Sequence, residues 1–229
     1  RIHFTDIEIA VENEFPDAWE CKYPINVITV YDSLTKNYNI WYLTKDDVSF
    51  DDTDDKIYKG YTSEFKMLND YMDWYRKNRA DVISGWNVLS FDMPYLVNRI
   101  EKKCKRSKEY SPIKKMKQLE MQPKEKNFKI KYYEIEGLTI LDQLLLYRDK
   151  FVFAKKSQYT LDNICDIELG AKKLSLGGLS MRDFWKQKFA SWVDYNIRDV
   201  ELCVKLEEKL GHIQLARMMC NMGLCEYNN

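Results

Sequence analysis

The chain has 229 residues and a mass of 27.5 kDa, enough for one substantial core. With 45% apolar and 31% charged residues the composition is globular, and no apolar run approaches the roughly 20 residues needed to span a bilayer. Lys+Arg and Asp+Glu both number 36, a zero net charge that argues against a protein held to nucleic acid by overall phosphate neutralisation.

Residues 2 to 9, Ile-His-Phe-Thr-Asp-Ile-Glu-Ile, alternate with period two and predict a strand with Asp6 and Glu8 on one face. Val27 to Tyr31 and Tyr38 to Leu43 are β-rich runs joined by a polar turn around Ser33 to Asn37, so residues 2 to 43 read as consecutive strands of one sheet. Residues 46 to 55 carry six aspartates and read as a solvated loop. Ser63 is placed to cap a helix that buries Phe65, Leu68, Tyr71, Met72 and Tyr75. Val82-Ile83-Ser84 predicts a short strand, Gly85-Trp86-Asn87 a turn, and the stretch from about Met93 to Arg106 a helix with Pro94 in its first turn, so Asp92 falls at a helix N-terminus.

Between 99 and 131 the chain turns basic, with thirteen Lys or Arg against four Glu. Phe128, Ile130 and Tyr132 alternate with Lys129, Lys131 and Tyr133, which predicts a basic-faced strand in a hairpin whose turn lies near Gln122-Pro123. Leu138 to Leu145 predicts a core strand running into a helix. From Ser191 onward Trp192, Tyr195, Asp199, Leu202, Leu206 and Leu210 recur at helical spacing, with Tyr195 and Asp199 four apart on one face, and Asp194 reads as a surface acid paired with Arg198. The fold class is α/β, a sheet flanked by helices in a single domain over 1–229.

Several chemistries are unsupported. The six cysteines form no Cys-x-x-Cys pair, and His3 and His212 read as structural, which leaves neither a zinc site nor a disulfide framework and suits reduced thiols in a cytosolic setting. Neither a phosphate-binding glycine loop nor a Gly-x-Ser-x-Gly elbow occurs, and no signal-peptide pattern opens the chain. Adjacent carboxylates on a half-buried strand repel one another unless a hard cation sits between them. Asp6, Glu8, Asp92 and Asp199 therefore suit two-metal phosphodiester hydrolysis: Asp6 would bridge the metals, Glu8 and Asp199 would complete one site, Asp92 would hold the second metal, and Tyr195 would orient the nucleophile. Each has an ordinary alternative: an Asp-x-Glu by chance, Asp92 as a dipole-stabilised helix start, Asp199 as a surface acid and Tyr195 as core.

Three ordered motifs carry a resemblance. Asp6-Ile7-Glu8 is followed by Phe15-Pro16-Asp17 and Tyr31-Asp32-Ser33; the second motif runs from Gly85-Trp86-Asn87 through Phe91-Asp92 and Pro94-Tyr95 to Asn98-Arg99; the third is Tyr195-Asn196-Ile197-x-Asp199-Val200-Glu201. Ser111-Pro112-Ile113, Leu141-Asp142 and Lys172-Lys173 are also alike. Over nearly its whole length the chain resembles the 3′→5′ proofreading exonuclease domain of family B DNA polymerases, in the branch found in T-even-type bacteriophages. The resemblance implies an RNase H-like (DnaQ-type) mixed sheet of five or six strands flanked by helices, with an extended β-hairpin over residues 114 to 135. It implies two divalent cations, Mg²⁺ with Mn²⁺ able to substitute, held by Asp6, Glu8, Asp92 and Asp199, with Tyr195 near the attacking water. Phe15 resembles the aromatic that meets the frayed 3′ end, with a core phenylalanine as its plain alternative, and Asn87 and Phe91 resemble substrate-positioning residues; Lys129 and Lys131 would meet phosphate. The expected partners are a DNA 3′ end and the remaining polymerase domains (palm, fingers, thumb and N-terminal domain) that this chain does not contain, in a monomer in the host cytoplasm. Rival readings are a non-cutting end-binding module, whose usual sign is lost acids whereas all four are present, and an RNase H-like nuclease acting on RNA.

Overall fold

The alternating residues at the start of the chain form β1 (Ile2–Ile9), the strand about which the sheet is organised. A computed structural model of the protein describes residues 1–12, 14–44, 48–122, 129–152 and 156–223. β1 is joined by β2 (Ile25–Asp32), β3 (Asn37–Leu43), β4 (Lys56–Tyr61), β5 (Val82–Gly85) and, last along the chain, β8 (Thr139–Asp142). The order is β4-β3-β2-β1-β5-β8, with β2 antiparallel to both β1 and β3 and with β4, β5 and β8 each parallel to the neighbour that precedes it in sequence. A separate antiparallel hairpin is formed by β6 (Met116–Met121) and β7 (Ile130–Ile135). This mixed six-stranded sheet flanked by helices is the arrangement of an RNase H-like exonuclease fold.

The period of two sends alternate residues of β1 to two different layers. Ile7 and Ile9 join a core with Leu68, Tyr71 and Tyr75 of α1 (Glu64–Lys77) and Tyr95, Leu96 and Ile100 of α2 (Asp92–Cys104). Phe4, of opposite parity, joins a second core with Ile164 of α4 (Leu161–Leu169) and Val200 and Leu202 of α6 (Phe189–Leu210). Asp6 and Glu8 share the parity of Phe4 and so face α6. One turn, α3 (Gln143–Leu145), follows β8 and continues as a π-helical stretch over Leu146–Phe151; α5 (Met181–Gln187) and α7 (His212–Gly223) complete the chain.

Several expectations need correction. Phe65 is 55% exposed and Glu64 is buried instead, because the Glu64 carboxylate takes two 2.7 Å hydrogen bonds from the Arg99 guanidinium and one of 2.9 Å from the Ile25 N–H. Ser63 occupies the cap position of α1, but its side chain makes no capping bond. α2 ends at Cys104 on a left-handed Lys105, short of Arg106. β4 was not foreseen: Lys-Ile-Tyr-Lys-Gly-Tyr carries little apolar alternation, as suits a half-buried edge strand. Asp51, Asp52, Asp54 and Asp55 before it are exposed, as expected of a solvated loop, and Asp46 and Asp47 lie outside the described residues. On β7 the expected inward face is only partly right: Ile130 is buried and Lys131 exposed, but Tyr133 packs against the core with Met116, and its ring lies 5.2 Å from that of Trp19. Pro123 and Phe128 lie outside the described residues. Arg198 pairs with Glu201 and the Lys172 carbonyl rather than with Asp194. His212 follows the end of α6 and opens α7. Cys21, Cys104, Cys165 and Cys203 are free thiols, and no described helix is long and apolar enough to cross a membrane.

His3 is buried beside the Trp74 ring, with its Nε2 3.8 Å from Asp32 Oδ1. Burial outweighs the attraction of Asp32 and pushes the imidazole down from 6.5 to about 4. The unfolded chain therefore binds more protons between these values, so the neutral histidine supports the fold fully above about pH 6.5 and this support is lost as pH falls towards 4, a loss of about 3 kcal/mol. Urea unfolding of wild type and His3→Gln between pH 7.5 and about 4 should show wild type losing more stability than the variant as pH falls. Equal pH slopes would rule out the histidine as the source.

Candidate active site

A crevice opens where β5 leaves β1. The two strands pair only through Ile2–Val82, His3–Ile83 and Phe4–Ser84, after which the chain turns away at Gly85. A Cβ on Gly85 would lie 2.5 Å from the Thr5 carbonyl oxygen, so only glycine passes this close to β1. Asn87 then adopts a left-handed φ of 64°, a conformation asparagine tolerates. Beyond Phe4, β1 has no strand on this side, and its Ile7 N–H donates to Asp92 Oδ1 at 3.2 Å. The first residue of α2 thus docks on the freed edge of β1.

The other wall is α6. Carboxylate oxygens of Asp6, Glu8 and Asp199 lie within 4.8 Å of one another. Asn196 Nδ2 donates to Asp6 Oδ2 at 2.6 Å, and Lys173 Nζ forms an ion pair with Asp199 and lies 3.3 Å from the Tyr195 hydroxyl. The structure therefore gathers Asp6, Glu8, Tyr195 and Asp199 at one place, while Asp92 borders them from α2, outside the 4.8 Å group.

The electrostatics follow from burial. Glu8, Asp92 and Asp199 are buried and Asp6 is half-buried. Burial, then repulsion from Asp92, Asp199 and Glu8, holds the Asp6 carboxyl well above the usual range. Burial and Asp199 do the same to Glu8. Asp92 is pushed up to about 7, burial exceeding the relief from the Ile7 N–H. Burial also raises Asp199 against the attraction of Lys173. Burial alone would depress the Lys173 ammonium, but Asp199 and Tyr195 raise it above its ordinary value. Burial, with Asp199 beside it, lifts the Tyr195 phenol to about 12, so it remains a hydrogen-bond donor at neutral pH.

This donor set fits a hard divalent cation. It consists of carboxylate oxygens, and Asp199 Oδ1 is buried with no hydrogen-bond partner among the described residues.

Three further residues shape the site and were not singled out for it from sequence. Lys173 lies in the aperiodic segment between α4 and α5; its only signal was membership of a Lys-Lys pair. Asn196 sits between the two marked residues of α6. Asp142, at the end of β8, accepts hydrogen bonds from Asn87 N (3.2 Å), Leu89 N (3.0 Å) and Leu144 N (2.9 Å), so one buried carboxylate, raised by that burial to about 6, ties the 85–91 turn to the start of α3.

The residues expected to meet substrate lie around the crevice. Phe15 is 87% exposed on the β1–β2 loop, which removes the core reading, and its ring centroid is 5.9 Å from that of Phe91. Asn87 is exposed. Lys129 pairs with Glu120 across the hairpin at 3.1 Å, and Lys131 is exposed. With Asn87, Trp19 and Arg148 the two lysines line a groove of about 710 Å³.

Comparison with known proteins agrees with this geometry. The family described as DNA polymerase family B, exonuclease domain, matches residues 1–164. The chain is similar to the DNA-directed DNA polymerase of Enterobacteria phage T4, 28% identical over 246 residues covering 96% of this chain and 26% of that protein. It is equally similar to the DNA-directed DNA polymerase of Escherichia phage RB69, 28% over 242 residues, covering 94% of this chain and 26% of the relative. A DNA polymerase catalytic subunit of Saimiriine herpesvirus 2 is 27% identical over 119 residues, covering 49% of this chain and 12% of its own length. The chain thus spans about a quarter of the length of the phage relatives. With the family matched over most of its length, and the ordered acids folded into one crevice, the chain belongs to the exonuclease domain family of the family B DNA polymerases and is a 3′→5′ exonuclease domain.

Proposed function

We propose that the chain removes nucleoside 5′-monophosphates from single-stranded or frayed DNA 3′ ends by two-metal-ion hydrolysis, as the monomeric proofreading domain of a larger polymerase. The observation that carries this reading is the convergence of Asp6, Glu8 and Asp199 within 4.8 Å beside Tyr195, with one buried carboxylate oxygen left unpartnered. Two divalent cations, Mg²⁺ or Mn²⁺, would supply Lewis acidity at the scissile phosphate and acidify the attacking water. Asp6 would be shared between them, Glu8 and Asp199 would hold one, and Asp92 would hold the other.

The remaining roles belong to the chain's own groups. The protonated Tyr195 hydroxyl orients the nucleophile by hydrogen bonding. Lys173 offsets the negative charge of Asp199 and, being hydrogen-bonded to Tyr195, fixes the direction of that hydroxyl. Phe15 and Phe91 form an aromatic pair against which the terminal bases stack, and Asn87 positions the end beside them. Lys129 and Lys131 meet the phosphates further along the strand. Asp142 acts indirectly, by holding the turn that carries Asn87.

A 5′-labelled single-stranded DNA should shorten from its 3′ end with Mg²⁺ or Mn²⁺, and Asp6→Ala and Asp199→Ala should each lower the rate about a hundredfold or more while remaining folded. A wild-type protein that leaves the strand intact with both metals would instead support a non-cutting end-binding module. The crowded carboxylates also predict an inversion in stability. Without divalent cations at pH 8, Glu8→Gln should melt at a higher temperature than wild type, because one repulsive charge is gone. Added Mn²⁺ at a hundred times its dissociation constant should stabilise wild type by about 2.7 kcal/mol and the variant much less. Equal responses to Mn²⁺ would exclude Glu8 from the metal site.

A further inference from the structure

The β1–β2 loop that presents Phe15 is gripped from one side by α2. Tyr95 donates its hydroxyl to the Tyr23 carbonyl at 2.7 Å, and Arg99 donates to the carbonyls of Cys21 (2.9 Å) and Lys22 (3.2 Å). Inside the loop, the Asp17 carboxylate accepts from the N–H groups of Trp19 (2.7 Å) and Glu20 (2.8 Å), so residues 17 to 20 form one compact turn. Phe15, two residues before this turn, has little to hold it except the ring of Phe91. Its position is therefore set by where the turn sits.

That turn has a second tie, to the hairpin. The Tyr133 hydroxyl on β7 donates to Asn98 Oδ1 at 2.7 Å, and Asn98 Nδ2 donates to the Ala18 carbonyl at 3.0 Å. The direction of this chain is fixed by chemistry: a carbonyl can only accept, so the Asn98 amide must turn its nitrogen to Ala18 and its oxygen to Tyr133. A tilted ring contact between Trp19 and Tyr133 runs alongside it. Lys131, on the same strand as Tyr133, faces the groove that Asn87 also lines.

We propose that Tyr133 and Asn98 form a positioning relay that couples the β6–β7 hairpin to the Phe15 loop, so that a strand seated on the hairpin lysines sets where Phe15 meets the 3′ end. This rests on the reading of Phe15 and the lysines as DNA contacts given above. Neither relay residue touches the reacting atoms. Each acts through Phe15.

The test compares wild type with Tyr133→Phe, which removes the hydroxyl and keeps the ring contact with Trp19, with Phe15→Ala, and with the double variant. Losing this half-buried hydrogen bond should speed amide hydrogen exchange of residues 17 to 22 about three- to tenfold while the β1, β2 and β3 amides stay as they were. The KM for a single-stranded DNA 3′ end should rise by a similar factor with kcat within about twofold, and this rise should vanish in the Phe15→Ala background. Unchanged exchange in Tyr133→Phe, or a KM effect that persists without Phe15, would overturn the relay. Should wild type fail to shorten DNA, the exonuclease reading fails, and the exchange measurement alone still decides whether hairpin and loop are coupled.

Discussion

The structure is organised around the repulsion between carboxylates held together at the end of β1. Two unit charges 4.8 Å apart near a protein surface repel by about 3 kcal/mol, and this site contains several such pairs, partly desolvated. Nothing in the packing of a sheet on a helix requires that arrangement. The chain tolerates it through specific local devices: the Lys173 ammonium on Asp199, the Asn196 amide on Asp6, and the backbone N–H of Ile7 on Asp92. These devices require a rigid frame. β1 supplies it by burying residues on both faces and by pairing with β2 in continuous register from His3 to Glu8, so Asp6 and Glu8 are held in place.

The frame also explains why so much of the site was legible in the sequence. Asp6 and Glu8 lie on a strand and Tyr195 and Asp199 on a helix, so the periods of two and 3.6 reported their shared faces directly. Asp92 was legible through turn chemistry, since Gly85, Asn87 and Pro94 mark where a strand ends and a helix begins. Lys173 and Asp142 carry no such signal. The first lies in a segment without periodicity, and the second acts through backbone N–H groups more than fifty residues earlier, which no local pattern reveals. The exchange of Phe65 for Glu64 on the buried stripe of α1 has the same origin: its cause is Arg99, thirty-five residues on. The polar edge strand β4 was missed because its parallel pairing with β3, and not its apolar pattern, defines it.

Buried ion pairs often add little to stability, since desolvation offsets their attraction, and their better-attested role is to specify one arrangement over others. Arg99–Glu64 fits that role. The same guanidinium that pairs with Glu64 also holds the Cys21 and Lys22 carbonyls, and Glu64 holds the Ile25 N–H at the start of β2. One pair thereby fixes how the Phe15 loop, docked on α2, enters the sheet at β2. Because α2 begins at Asp92, the same helix sets both the acid at the crevice and the loop above it.

This arrangement divides the work of the crevice between charge and shape. Among the described residues that line the groove beside it, Lys129 is engaged by Glu120, and Arg148 by Asp149 in a 2.6 Å contact. Long-range attraction for a polyanion is therefore weak, in keeping with a net charge of zero. In the proposed reading, recognition of a DNA end at this surface draws on the exposed Phe15 and the half-buried Phe91 beside it, since stacking is available only to bases that have left a duplex. In that reading the site would favour an unpaired end over a paired one without reading any base. That preference comes from the geometry of the loop on α2, and the acids need contribute nothing to it.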